Sequence, residues 1–237
     1  MAKVTVEGKF PKRIGNYVLY PLGADVVMRE NSGFTSEALK TSPKYDLSRR
    51  NASEFGRLSS TCKELRLALK HYLPKKNNLL VVNALNKKMR QLLVFDITSV
   101  RGERTLANAM ATAEGRSQLK GYHFNPVVNG VLTTTFNADK LQVSTSEISF
   151  PDRATSVGFT VVSLVFDFDT KASSLSECKK HFFNATTLPD LIELEVPKME
   201  HTNGVLFTIL VVEFYIQEDG GYVPLVDDGS KVVMIVD

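Results

Sequence analysis

Long hydrophobic runs are missing from this chain of 237 residues. The best of them, Val205 to Val212, is already broken by Thr208, whereas a membrane-spanning helix needs about 20 apolar residues in succession. No membrane span is expected. The first residues, MAKVTVEGKFPKR, alternate apolar with polar and offer no continuous apolar core of a secretory signal, so export by the general pathway is not expected either. Cysteine is scarce. Cys62 and Cys178 are far apart, with nothing else at metal-ligand spacing beside them, and they read as free structural thiols in a reducing compartment. The expected location is the cytoplasm or a virion-like assembly. His71, His123, His181 and His201 are scattered without an i,i+4 ligand partner, as surface or boundary histidines are. There is no G-x-x-x-x-G-K-[ST], G-x-G-x-x-G, G-x-S-x-G or H-E-x-x-H, which disfavours the common nucleotide-binding, hydrolase and zinc-protease classes. No cofactor is expected.

Acidic residues are also scarce, but only in the first half. Residues 1–123 hold 22 Lys and Arg against 10 Asp and Glu, a balance of +12; residues 124–237 hold 7 against 16, a balance of −9. The modest net charge of +3 conceals this split. Such an asymmetry suits a polyanionic partner for the first half or head-to-tail attraction between copies; two packed domains of different surface composition explain it as well.

The stretch Asn51 to Tyr72 organises the first half. Phe55, Leu58, Cys62, Leu65, Leu69 and Tyr72 recur at steps of three and four, one stripe of an α-helix, while Arg57, Lys63, Arg66 and Lys70 occupy the opposite face. A second helix fits Asn78 to about Asp96 with the stripe Val81, Leu85, Met89 and Leu92, and with Lys87, Lys88 and Arg90 adding charge. The two are expected to form an antiparallel hairpin, separated at Pro74. A third helix is expected over Leu106 to Gln118, with Leu106, Ala109, Met110 and Ala113 facing the others. Before these helices, Val4, Val6, Tyr17 to Tyr20 and Val26 to Met28 suggest a meander of two or three strands with turns at Gly15-Asn16 and Gly23-Ala24.

From Val127 the pattern becomes β. Candidate strands cover 131–136, 141–149, 157–169, 191–196, 205–216, 222–226 and 232–236. Leu191 to Val196 alternates cleanly, and Val205 to Ile216 is apolar on both faces, as a central strand is. The expected fold class is α+β: an N-terminal β-meander and helical hairpin or three-helix region, followed by an antiparallel immunoglobulin-like β-sandwich. The expected domains are 1–123 and 124–237.

Three constellations carry possible chemistry. Thr98 to Thr105, TSVRGERT, sets Arg101 and Arg104 around a glycine; it fits a site for phosphate or a partner carboxylate, because guanidinium groups pair bidentately with both, or an ordered turn tied to a neighbouring acid. The pairs Asp167/Asp169 and Glu193/Glu195 would hold a hard cation only if their strands were adjacent, and a solvated sheet face explains them too. The basic residues Arg49, Arg50, Lys75 and Lys76, with Arg57, Lys63, Arg66, Lys70, Lys87, Lys88 and Arg90, give an electrostatic footprint for nucleic acid if they converge on one side of the hairpin; the last seven, with Arg101 and Arg104, are the candidate interaction residues. Aromatic residues for base stacking are sparse there.

The blocks RENSGF (29–34), SRRNASEFG (48–56), TSVRGERT (98–105) and VEFYIQEDGGYVPL (212–225), in this order and spacing, resemble an uncharacterised family of Bacteroidota proteins. The resemblance implies an N-terminal Gly-rich hairpin, a helical middle and a β domain with an E-F-Y-Q-type strand. Gly8 to Gly15 departs from it in being less glycine-rich. It brings no activity and no functional residues. The expected function is therefore a non-enzymatic structural or assembly protein that contacts itself or other protein subunits, phage-related or cell-associated. The alternative is a nucleic-acid-associated protein that binds phosphate backbone through the basic helices.

Overall fold

The structure, a computed structural model of the chain, describes residues 2–4, 8–31, 35–73, 78–125, 132–137, 139–200, 203–218, 220–226 and 229–237. Val6, Pro74, Lys75, Lys76 and His201, all named above, lie outside them. Two compact units divide the chain, residues 1–51 and 52–237.

The first unit holds an antiparallel sheet of β1 (Ala2–Val4), β2 (Arg13–Ile14), β3 (Tyr17–Leu22) and β4 (Asp25–Glu30) in the order β1-β4-β3-β2, one strand more than the sequence suggests. Leu19, Val26 and Val27 are its buried apolar residues. A short helix α1 (Ser36–Thr41) follows, capped by Thr35, whose Oγ1 accepts a hydrogen bond from the Ala38 N–H at 3.0 Å. The long helix α2 runs Asp46–Ala68.

In the second unit α3 spans Asn78–Leu92, and the expected third helix is two pieces, α4 (Leu106–Ala111) and α5 (Ala113–Ser117). Thr112 breaks it: its backbone is extended, and its hydroxyl caps α5 at the Gly115 N–H. The chain then doubles back so tightly that a Cβ on Gly115 would lie 2.0 Å from the Ala109 carbonyl oxygen. Only glycine fits there. Among the described residues no helix is long and apolar enough to cross a membrane.

Among the described residues of this unit the strands form two antiparallel sheets. β5 (Thr133–Asn137), β6 (Lys140–Ser144) and β10 (Leu191–Glu195) make the smaller, ordered β10-β6-β5. The larger is built on β7 (Ser156–Phe166) and β11 (Val205–Glu218), paired along eleven residues; β8 (Ser173–Glu177) and β9 (His181–Asn184) flank β7, while β12 (Gly221–Pro224) and β13 (Lys231–Ile235) flank β11. Every residue of β7 is buried, because both faces of this sheet are covered. Val162, Leu164, Phe166, Phe207, Ile209, Val211, Val233 and Ile235 pack against Leu58, Cys62, Leu65, Leu69, Leu85, Met89 and Leu92 from the helices. Their neighbours along the strands, including Phe159, Val161, Leu210, Val212, Phe214 and Met234, face Leu141, Val143, Ile192 and Leu194 of the small sheet.

The fold class is α+β, arranged as helices, large sheet and small sheet. In the second unit one face of the large sheet carries the helices and the other carries the small sheet. Helix residues and strand residues share one core. The apolar stripes read from the sequence are buried at Leu58, Cys62, Leu65 and Leu69 and at Val81, Leu85, Met89 and Leu92, but Phe55 and Ala113 are exposed.

Candidate interaction surface

The nine basic residues singled out from the sequence meet different fates. Lys63, Lys70, Lys87, Arg90 and Arg101 are exposed, and Lys88 is half-buried. Arg66 is half-buried too, with one terminal nitrogen sealed from solvent and without a hydrogen-bond partner. Arg57, although exposed, and Arg104, half-buried, spend their guanidinium groups on acceptors within the protein. Arg104 meets Glu54 of α2 through a fork of two bonds, Nε to Oε2 at 3.1 Å and Nη2 to Oε1 at 2.8 Å, and the same carboxylate accepts the Gly102 N–H at 2.8 Å. Arg57, one turn further along α2, donates to the Gly102 carbonyl at 2.5 Å. Gly102 can turn both its backbone groups to α2 because its φ of 100° lies where side chains are disfavoured. Of the two readings of TSVRGERT, the ordered turn tied to a neighbouring acid describes Arg104; its hydrogen bonds hold the Glu54 carboxyl below the usual range, against the upward push of burial.

A second carboxylate organises the start of this loop. Asp96, buried just after α3, takes its Oδ1 to the Thr98 N–H at 3.1 Å, the Thr98 hydroxyl at 2.8 Å and the Ser99 N–H at 3.0 Å; its Oδ2 takes the Thr105 N–H at 2.9 Å and the Asn108 side-chain amide at 3.2 Å. Burial alone would raise its pKa, but the donors from Thr105, Ser99 and Thr98 outweigh that and hold it far below the usual range. Thr105 in turn caps α4 by accepting the Asn108 N–H. Residues 96–105 are thus pinned to α2, α4 and themselves, yet they and their neighbours leave apolar side chains outside: Val94 is 64% exposed, Ile97 86%, Val100 60% and, on α2, Phe55 47%.

A third charged cluster sits on the large sheet. Glu213 of β11 is ion-paired to Lys180 and, at 2.5 Å, to Lys231 of β13; Tyr215 donates to it at 2.9 Å and accepts from Lys180 at 2.7 Å. Burial pushes the Glu213 carboxyl up, and the two lysines more than reverse it. Beside them Phe182 and Tyr222 stack with ring centroids 4.0 Å apart. Sequence reasoning passed over this cluster; its signal is a glutamate set in the mostly apolar middle of the central strand.

The acidic pairs do not converge. Asp167 is spent on its own turn, accepting from the Asp169 and Thr170 N–H groups and the Thr170 hydroxyl, while Glu193 lies on the exposed side of β10 with Lys140 and Gln142. No group of three or more metal-ligand side chains is found among the described residues. Both cysteines are free; Cys62 is buried, and Cys178 receives the Val161 N–H at its sulfur. Comparison with protein-family models, with curated proteins and with solved structures finds no match.

Proposed function

We propose that this chain is a non-enzymatic structural protein whose work is to make protein–protein contacts in a multi-subunit assembly, phage-derived or cell-associated. The observation that carries the reading is the charge split, which reaches the surface on both sides. Lys63, Lys70, Lys87 and Arg90 are exposed on the helices, and Asp169, Glu177, Glu193, Glu195 and Glu218 on or beside the strands. The basic helices of one copy meet the acidic β region of another, and the two packed sheets act as the contact module expected of an immunoglobulin-like sandwich. Such head-to-tail contacts close into rings or run on as filaments. The resemblance to the Bacteroidota family belongs to this proposal without adding an activity to it.

Phosphate-backbone binding uses the same exposed Lys63, Lys70, Lys87 and Arg90, but it loses Arg57 and Arg104 to acceptors inside the protein. That is why it stands second. Light scattering and negative-stain imaging over a salt series, with nucleic acid excluded, test the proposal. Assemblies that dissolve as salt rises support it, because exposed charge attraction is screened within about 10 Å at 0.1 M salt. A monomer at every concentration and at low salt overturns it.

A further inference from the structure

Single exposed charges are ordinary on a protein surface. Arg116 and Asp169, both exposed, differ because they edge the same cavity, a recess of about 230 Å³ lined by α4, the turn that joins β7 to β8, and the start of β11. Its apolar lining includes Met110, Phe168 and Val205, and each is held in place. Met110 and Phe168 are buried, Phe168 edge-on against Phe166 and Phe207, and Val205 pairs with Phe166 across the sheet. The charges are held as well. Arg116 donates from Nη1 to the Met110 and Ala111 carbonyls at 2.9 and 3.0 Å, which pins the guanidinium to the end of α4. Its other three N–H donors, on Nε and Nη2, meet no acceptor among the described residues. On the turn, Asp167 accepts from the Asp169 N–H at 2.8 Å, the Thr170 N–H at 3.2 Å and the Thr170 hydroxyl at 2.8 Å. The backbone that carries Asp169 is thereby fixed, while the Asp169 carboxylate takes no donor among the described residues. No N···O contact within 4.0 Å joins it to Arg116.

We propose that this cavity is a binding site for a free α-amino acid with an apolar side chain. The ligand's carboxylate accepts from the Arg116 guanidinium, its ammonium donates to Asp169, and its side chain lies on Met110, Phe168 and Val205. The class follows from what the cavity offers: a cation and an anion that stand apart, each with bonding capacity unspent, beside an apolar lining. A ligand with one charge would leave the other side unanswered. Charge-assisted bonds to a guanidinium and a carboxylate are the strong kind. Pockets for drug-sized ligands hold ~300 to ~1,000 Å³, so a recess of about 230 Å³ suits a ligand of amino-acid size. Because both charges and the lining are held before the ligand arrives, little ordering is left to oppose binding. The site does not depend on the assembly reading.

The experiment is isothermal titration calorimetry of the full chain with L-leucine, L-methionine and L-phenylalanine, and with two leucine analogues that keep one charge each, isocaproate without the ammonium and isoamylamine without the carboxylate. Wild type is compared with Arg116→Gln, with Asp169→Asn and with Glu195→Gln, a control at an exposed position of β10. At least one of the three amino acids is expected to bind saturably at millimolar concentration or below, and both analogues at least tenfold more weakly than leucine. Arg116→Gln and Asp169→Asn are each expected to weaken amino-acid binding at least tenfold, and the control to bind like wild type. Thermal melts confirm that the variants fold; should Arg116→Gln not fold for want of its bonds to α4, Asp169→Asn, which removes no hydrogen bond among the described residues, carries the test. A wild type that binds none of the three amino acids overturns the proposal, as do cavity variants that bind like wild type. Isocaproate bound as tightly as leucine overturns the zwitterion, leaving an anion on Arg116 alone. None of these readings depends on association, so failure here leaves the assembly reading standing.

Discussion

Glu213 and Asp96 are both carboxylates withdrawn from water, and the protein settles them by opposite means. Glu213, in the middle of a sheet, is met by two full positive charges, Lys180 and Lys231. Asp96, at the foot of a loop, is met by neutral donors alone: three backbone N–H groups, a hydroxyl and an amide. The difference follows from where each sits. A strand's backbone groups are already committed to the ladder, so only side chains from adjoining strands can answer a buried charge there. A loop has backbone N–H groups to spare, and a carboxylate that gathers them fixes the loop's path. One network ties segments of a finished sheet together; the other gives shape to a segment that has no ladder.

The largest effect is expected where full charges would be stranded. Glu213→Gln leaves the half-buried Lys180 and Lys231 without their acid, and removing one partner of such a pair costs about 3 kcal/mol, the low end of the range for a fully buried one. For a unit of this size that lowers the melting temperature by on the order of 10 °C. Replacing all three by apolar residues, Glu213→Leu/Lys180→Met/Lys231→Met, is expected to recover most of the loss, since a well-packed apolar substitute is often neutral or better. Asp96→Asn comes next, at about 2–3 kcal/mol, because an amide nitrogen turned toward the Thr105 N–H meets a donor with a donor. Here no second substitution is expected to rescue fully, as three of the five partners are main-chain N–H groups. Thermal melts of wild type and the three variants check both halves: an Asp96→Asn chain as stable as wild type, or an unrescued Glu213 triple, breaks the contrast. Hydrogen exchange sharpens it, with Asp96→Asn expected to expose the amides of residues 98–105 and Glu213→Gln to leave them protected.

The apolar stripes of α2 and α3 and the long strands β7 and β11 were legible because burial imposes a period on them, and a period can be read. The polar edge strands were not. Ser173 to Glu177 and His181 to Asn184 have mostly exposed side chains, and their pairing to β7 is a backbone matter that leaves little mark on side-chain choice. The third helix read as one because Leu106, Ala109 and Met110 keep the period; Thr112 ends it through a cap, a local hydrogen bond with no hydrophobic signature. At the interaction surface, TSVRGERT stood out as ordered or anion-binding, yet the acid that decides for Arg104 is Glu54, fifty residues earlier. Phe55 fitted the apolar stripe by spacing but lies at its edge, past the reach of the sheet that buries Leu58. Glu213 hid in the mostly apolar middle of a strand, and its lysines come from two other segments.

Acid provides the subtlest test of the contrast. Both carboxyls titrate below their ordinary range in the folded protein, so each contributes stability that is complete above the unfolded value, near pH 4, and is lost as pH falls through the folded value. Asp96 is held by five donors, three of them main chain, so its contribution is expected to persist to lower pH. Urea unfolding of wild type, Glu213→Gln and Asp96→Asn between pH 6 and 2 measures this as two differences from wild type. Both are expected to be constant above about pH 5, and the Glu213 difference is expected to shrink to its floor first. If the Asp96 difference fades first, neutral dipoles hold a buried carboxylate less firmly than two lysines do, and the loop is less rigid than its hydrogen bonds imply.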